Sequence, residues 1–484
     1  MAVVFLACVY LEAQQRQSAY LFECNPAAAG RGAMNRLMFR AGEWTALRDD
    51  LIAPAPLETA AALIVDSGRF EGGMRLIVRE IIRPAPDDYI ARSPIEVSLT
   101  PMFLSRVLKR ARLERAGVIL AHSHPVQRRL AFSSVDDAAQ QLLAPVLHFR
   151  CPQGPHGFLI AGPAGFRGRL FDIKGETTFT IDRIQEIGRS VRSYPTETDA
   201  EDPAPLPEVF DRNVRAFGPA GQRILNDLTV AVVGVGGTGS VVVEELARLG
   251  VGRLHLIDPE QVERTNLNRL MGAEQKDIDR PKVAVASEAS QRAKRDIEVM
   301  TLPESVIDEP VARTLLDGDF VMCCTDSHGS RAVLNQIAYQ YRLPMIDVGV
   351  RIDAREGVVA AMSTRVQMLA ESLACLNCHS LLDPAAVRRD LLADSRSDPY
   401  FVGHFEPQPA VISLNAATSS MAVSMFLSAV TGFPGEARHL VGRPIEGSVR
   451  PVSSRSDPTC VVCAQDNALA RGDSWPMIWR QHES

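Results

Sequence analysis

The chain has 484 residues, 46% hydrophobic and 23% charged, with a formal net charge of −6. That length exceeds one ordinary core and predicts two or three domains. The mild acidity excludes a nucleic-acid footprint. The opening "AVVFLACVYL" is too short for a bilayer span of roughly 20 residues and lacks a basic leader. It reads as a buried first strand of a cytoplasmic protein with no membrane partner. Farther along, "AALIVDS", "MRLIVREII" and "AGVILAHSH" predict strands, and "TPMFLSRVLKRARLERA" and "SVDDAAQQLL" predict helices. Residues 1–190 therefore read as an α/β domain. The stretch "SYPTETDAEDPAPLPEVF" has little to bury and predicts a linker over 191–208. From 209 to 484, strands such as "LTVAVVGVG", "RLHLID", "DIEVMTL", "DFVMCCTD" and "LPMIDVGV" alternate with helices such as "SVVVEELARLG" and "PKVAVASEASQRAK". That alternation predicts a parallel, doubly wound, Rossmann-like sheet. Nine cysteines in so large a chain argue against a disulfide framework. Four of them form two C-x-x-C pairs, Cys375 with Cys378 and Cys460 with Cys463.

The segment "HSHPVQRRLAFSSVDD" carries the first chemistry. His122 and His124 on a strand share one face, and an aspartate opening the next helix can join them. Two histidines, an aspartate and a water make a tetrahedral zinc with an open position, as in catalytic sites. A carboxylate must take the water's proton and pass it to the leaving amine; Glu58 is the first candidate and Glu80 the second. The plainer reading makes Ser133 a helix cap and the histidines loop residues. The set resembles the JAMM/MPN (JAB) metalloproteases, with Glu, His-x-His, seven residues, then Ser-x-x-Asp. The resemblance implies catalytic Glu58, zinc ligands His122, His124 and Asp136, and Ser133 stabilising an oxyanion. Eight residues separate His124 from Ser133 here, so Ser134 with Asp137 is a second register.

The second chemistry begins at "AVVGVGGTGS". Gly234, Gly236 and Gly239 form G-x-G-x-x-G between a strand and a helix, where glycines allow close backbone approach to phosphates. Asp258 ends the next strand at the spacing of a ribose-binding acid. Arg269 in "NLNRL", Lys282 in "DRPKV" and Asp326 in "CTDSHGSR" add two cations and a carboxylate, a set that suits Mg·ATP. The string resembles the ThiF/MoeB and ubiquitin-activating superfamily from about Phe210 to Phe433, with Leu270 where that pattern has Gln. The resemblance implies a nucleotide site of Gly234, Gly236, Gly237, Gly239, Asp258, Asn266, Arg269 and Lys282. It implies catalytic roles for Arg269, Lys282 and Asp326, with Mg²⁺ on Asp326, and a homodimer in which Arg212 enters the neighbouring site. It also implies a structural zinc on Cys375, Cys378, Cys460 and Cys463.

Many members of that superfamily carry a cysteine nucleophile after the first C-x-x-C. Here that stretch has none, and Cys323 and Cys324 fall on an expected buried strand. The adenylate as end product, an oxyester on Ser395, Ser397 or Ser413 (with His404 nearby as base), or a regulatory relic are the alternatives. Together the two resemblances imply an activating enzyme for a ubiquitin-like protein fused to a processing or deconjugating protease, in a bacterial ubiquitination-like system with a ubiquitin-conjugating-like partner. Sulfur-carrier activation and a non-catalytic carrier-binding scaffold are the alternatives.

Overall fold

The computed structural model describes residues 34–127, 129–196, 205–355, 357–392, 409–453 and 455–480. The strand expected in "AVVFLACVYL" lies outside them, as do Ser395, Ser397 and His404. The chain divides into two compact units. The first comprises Met1–Glu186, Arg192–Glu201 and Ala470–Trp475; the second comprises Ile187–Val191, Asp202–Leu469 and Pro476–Ser484.

The first unit is built on strands β1 (Arg36–Arg40), β2 (Ala60–Phe70), β3 (Gly73–Ile82), β6 (Gly117–Ser123), β7 (His156–Gly162), β8 (Gly165–Phe171), β9 (Thr177–Ile181), β10 (Arg183–Ile187) and β11 (Val191–Pro195). They form one sheet in the order β11-β10-β1-β3-β2-β6-β7-β8-β9, and β4 (Tyr89–Arg92) with β5 (Val97–Leu99) makes a separate hairpin. Alternate residues of a strand face opposite sides, and β2 uses both. Leu63 packs with Trp44 and Leu47 of helix α1 (Glu43–Ile52). Ile64 packs with Phe103 and Val107 of α2 (Pro101–Leu113) and Leu147 of α3 (Ser134–Arg150). Burying each such side chain is worth about 1.5–3 kcal/mol, so two apolar faces specify a central strand. The expected linker over 191–208 begins instead with strand β11. Its Val191 is buried, and the Tyr194 hydroxyl donates to Glu186 Oε2 at 3.0 Å. Composition alone missed these two anchors.

The short segment Ala470–Trp475 belongs to the first unit, although the sequence assigns it to the second domain. Arg69 N donates to Asp473 Oδ2 at 3.0 Å, Ser474 Oγ to Asp66 Oδ2 at 2.6 Å, and Arg471 pairs with Glu114 at 2.9 Å.

The second unit carries β12 (Thr229–Val233), β13 (Arg253–Ile257), β14 (Glu298–Leu302), β15 (Phe320–Cys323), β16 (Met345–Arg355), β17 (Val358–Leu369), β18 (His439–Arg443) and β19 (Ser448–Pro451). Their order is β14-β13-β12-β15-β16-β17-β18-β19. The first five strands pair in parallel, as the alternation predicts. The last three are antiparallel, which corrects a wholly parallel sheet. Only two residues separate β16 from β17, and so short a connection permits antiparallel pairing alone. All five residues of β12 are buried, as befits an interior strand between β13 and β15.

Helices of this unit are α4 (Asp211–Asp227), α5 (Gly239–Leu249), α6 (Lys282–Ala293), α7 (Glu309–Thr314), α8 (His328–Gln340), α9 (Pro384–Leu391) and α10 (Ile412–Val430). Among the described helices, α10 is long and apolar enough to cross a membrane. Half of it is buried, with Ala422, Phe426 and the polar Asn415, Thr418 and Ser419 turned into the unit.

Candidate active sites

In the first unit, strand register assembles the cluster. β2 and β6 run antiparallel with Ala60 opposite His122, and continuing that register sets Glu58 beside His124. Glu58 is anchored by its backbone: its N–H donates to Ser93 O at 2.9 Å, and its carbonyl accepts from Arg92 Nε at 3.0 Å. The His122 and His124 Nε2 atoms lie 3.0 Å apart. Asp136 Oδ1 lies 3.1 Å from His122 Nε2, and its Oδ2 lies 3.7 Å from His124 Nε2. Glu58 Oε1 is 3.8 Å from His124 Nε2. Nitrogen and oxygen ligands around a tetrahedral zinc, at about 2.0–2.1 Å each, are spaced by about 3.3 Å. The three histidine and aspartate separations bracket that value, so the residues fit the ion.

Burial pushes the Glu58 carboxyl up to about 7, against the lowering pull of His122. Burial also acts on Asp136, but the hydrogen bond and charge of His122, with Ser133, hold it well below the ordinary carboxylate range. Burial and the neighbouring His122 lower His124, favouring the neutral ring a metal requires.

Ser133 caps α3 in a reciprocal capping box. Its N–H and O–H both donate to Asp136 Oδ2, at 2.6 and 2.8 Å. The hydroxyl thus orients Asp136. The register with Ser134 and Asp137 is excluded, because Asp137 pairs with Arg169 at 2.7 Å and its side chain is 63% exposed. Glu80 pairs with Arg110 at 2.5 Å, and Glu58 is the one of the two candidates that lies beside the histidines.

In the second unit, the glycine-rich turn joins β12 to α5. Gly234 has φ +83°, and a Cβ there would meet the Thr325 and Cys324 backbone at 2.8–2.9 Å. A Cβ on Gly239 would lie 1.8 Å from Gly234 O, whereas Gly236 faces open space. The backbone therefore closes on itself at two points and leaves room at the third, before a helix N-terminus. Asp258 supports this turn: Oδ2 accepts from Val235 N at 2.8 Å and Oδ1 from Glu260 N at 2.9 Å. Asn266 is buried and caps its own turn through Glu263 N. Arg269 lies against Gly237 with its stem, while its guanidinium donates to Thr265 O at 2.7 Å. Lys282 is buried against Glu260. Asp326 is exposed just beyond the carboxyl end of β15, and Arg212 is exposed near the start of α4. A residue the sequence reading missed is Asn415 of α10, whose amide faces Gly237. Nothing local in the sequence singled it out, since α10 carries several polar side chains.

Cys375, Cys378, Cys460 and Cys463 converge in the same unit, with ligand atoms all within 4.8 Å. The sulfur separations are 3.6 Å (Cys375–Cys378), 3.5 Å (Cys375–Cys460) and 3.4 Å (Cys378–Cys463). Four thiolates at about 2.3 Å from a tetrahedral zinc would be about 3.8 Å apart. Hydrogen bonding from Cys463 pulls the Cys375 thiol below its ordinary range, while burial pushes Cys460 up. Cys323 is fully buried and donates to Asp347 Oδ1 at 3.2 Å, and burial pushes Cys324 up to about 12. Neither is a mobile nucleophile, as expected. Ser413 is exposed in the first turn of α10.

A family model described as "ThiF family" matches residues 210–461, just over half of the chain. The chain belongs to the ThiF family. The match covers the glycine-rich turn and the first three thiols of the cysteine cluster, and it does not reach Glu58, His122, His124 or Asp136. "Protein HesA" of Nostoc sp. is 29% identical over 160 residues, 33% of this chain and 62% of that protein. The "Sulfur carrier protein adenylyltransferase" of Thermus thermophilus is 26% identical over 249 residues, 51% of this chain and 87% of that protein. The "Molybdopterin-synthase adenylyltransferase" of Salmonella typhimurium is 31% identical over 170 residues, 35% of this chain and 65% of that protein. The chain spans less than two-thirds of the HesA proteins of Nostoc sp. and Trichormus variabilis that it matches, and 85% of that of Leptolyngbya boryana.

Proposed function

We propose that this ThiF-family chain adenylates the C-terminal carboxylate of a ubiquitin-like protein, and that its first unit is a JAMM-type zinc protease acting on the same terminus. Two imidazole nitrogens held 3.0 Å apart beside Asp136 and Glu58 support the protease half of this reading most directly.

In the second unit, the amides of the Gly234–Gly239 turn and the α5 N-terminus hold the phosphates. Arg269, and Lys282 on leaving Glu260, stabilise charge growing on the α-phosphate. Asp326 is the residue that would hold Mg²⁺, which supplies charge neutralisation on the phosphate chain. The carrier carboxylate forms a bond to the α-phosphorus and the bond to pyrophosphate breaks. Arg212 reaches the pocket of a second copy in a homodimer. The four cysteines hold a structural zinc, with no position left open. The activated carrier passes to a ubiquitin-conjugating-like partner directly or through an ester on Ser413, Ser395 or Ser397.

In the first unit, His122, His124 and Asp136 would hold the catalytic zinc, which when bound supplies a water acidified to a pKa of roughly 7. Glu58 takes the proton from the attacking water and returns it to the leaving amine. Ser133 holds Asp136 in position.

A second reading is favoured by the name of the Thermus relative: the partner is a sulfur carrier, and the adenylate proceeds to a thiocarboxylate. ATP–pyrophosphate exchange with purified ubiquitin-like proteins tests activation, and mass spectrometry of the carrier terminus separates the readings. Absence of carrier-dependent exchange would overturn the adenylation assignment. A carrier extended at its C-terminus that stays intact with zinc-loaded protein would overturn the protease.

A further inference from the structure

Helix α10 is apolar over most of its length, yet it buries three polar side chains toward the glycine-rich turn. Asn415, Thr418 and Ser419 are each at most 4% exposed. Thr418 Oγ1 donates to Leu414 O at 2.8 Å, and Ser419 Oγ donates to Thr238 O at 2.9 Å. The second bond fixes α10 on the turn. Asn415 lies one helical turn before Ser419, on the same face. Its side-chain amide makes no hydrogen bond among the described residues, and a Cβ on Gly237 would lie 2.4 Å from its Nδ2. The stem of Arg269 flanks the same glycine, 3.3 Å from that Cβ. A helix position packed on a turn would ordinarily hold an apolar side chain, and this amide is committed to no protein partner among the described residues. It is therefore available to a ligand seated on the turn.

We propose that Asn415 is a phosphate-contacting residue of the nucleotide pocket, donating from Nδ2 to an oxygen of the nucleoside triphosphate held over Gly236 and Gly237. This rests on the nucleotide-binding reading of the ThiF-family unit. The anion meets the glycine-turn amides from one side, the Arg269 guanidinium from a second and the Asn415 amide from α10. Gly237 lacks a side chain because the Asn415 amide needs that space.

The test uses the full chain and titration calorimetry with Mg·ATP, AMP and adenosine. Asn415→Ala is expected to weaken Mg·ATP and AMP about tenfold, as for a lost hydrogen bond to a charged group. Adenosine, which has no phosphate, is expected to bind as before. Asn415→Asp is expected to weaken Mg·ATP further, since a carboxylate repels phosphate. Asn415→Gln, which keeps the amide, is expected to recover part of the loss. If Asn415→Ala lowers the melting temperature of the second unit, Asn415→Ser supplies the same comparison with less lost volume. Unchanged Mg·ATP affinity in Asn415→Ala and Asn415→Asp would overturn the assignment alone. Equal weakening of ATP and adenosine would make the residue structural. A wild-type chain that binds neither ATP nor AMP would overturn the nucleotide reading itself, and this assignment with it.

Discussion

The two ligand clusters of this protein differ in what surrounds them. The Cys375, Cys378, Cys460 and Cys463 cluster offers four like ligands. Four thiolates close a tetrahedron and leave no position for a substrate. The Glu58, His122, His124 and Asp136 cluster offers two imidazoles and two carboxylates, which lie 3.8 Å (Glu58) and 3.7 Å (Asp136) from His124 Nε2. In the proposed site three of these would hold the metal, leaving a position for water and Glu58 as proton acceptor. The same element would staple in one unit and react in the other, and the difference lies in ligand count and ligand type.

The largest effect should separate the two clusters outright. Cys460→Ser is expected to abolish the cooperative melt of the second unit, since structural zinc contributes on the order of 10 kcal/mol in small domains. Circular dichroism and metal analysis check this; a wild-type melt would show that the thiols hold nothing. His124→Ala is expected to reduce cleavage to background while leaving both melts and ATP–pyrophosphate exchange intact. Glu58→Gln should sharpen the contrast, because it keeps the metal and loses the base. Its expected cost is about 10²–10⁴ in cleavage rate with zinc content unchanged, measured by assay and metal analysis on one sample. Asp326→Ala is the reciprocal variant. Exchange should fall about 10²–10³-fold, the cost of removing charge stabilisation, and cleavage should persist.

The smallest effect concerns buried groups of the first unit away from its metal ligands. Burial lowers His156 from 6.5 to about 4, so its contribution to stability is present above pH 6.5 and lost as pH falls toward 4. Burial raises Asp66 from 3.8 to about 6, so its contribution is present below pH 3.8 and lost as pH rises through 6. Each is on the order of 3 kcal/mol, and they oppose one another across the same window. Asp66→Asn is therefore expected to steepen the acid loss of first-unit stability between pH 6.5 and 4. His156→Asn is expected to reverse it. Melting curves of chelated protein across that range would refute the pairing if both slopes matched wild type.

The candidate sites were legible in the sequence wherever their logic is local. A capping box needs only residues three apart, and a glycine turn needs only its own spacing, so the Ser-x-x-Asp pattern and Gly234 to Gly239 were readable directly. The choice of Glu58 over Glu80 was not. Both precede or end apolar strands, and only the pairing of β2 with β6 brings one of them to the histidines. The eight-residue gap after His124 left Asp136 and Asp137 open, and the salt bridge from Arg169 to Asp137 closed the question. Asn415 was invisible for a similar reason, since its partner in space is Gly237, 178 positions earlier in the chain.

By itself the sequence determined the ligand types, the two C-x-x-C pairs, the alternation of the second unit and the helix starts. Each of these depends on groups within a few bonds or one helical turn of one another. Only the tertiary structure decided which carboxylate lies beside the histidines, which aspartate faces them, that β17 to β19 run antiparallel, and that Ala470–Trp475 completes the first unit. Those choices are made by strand register and by packing between distant segments. Their energy comes from contacts that no window of sequence contains.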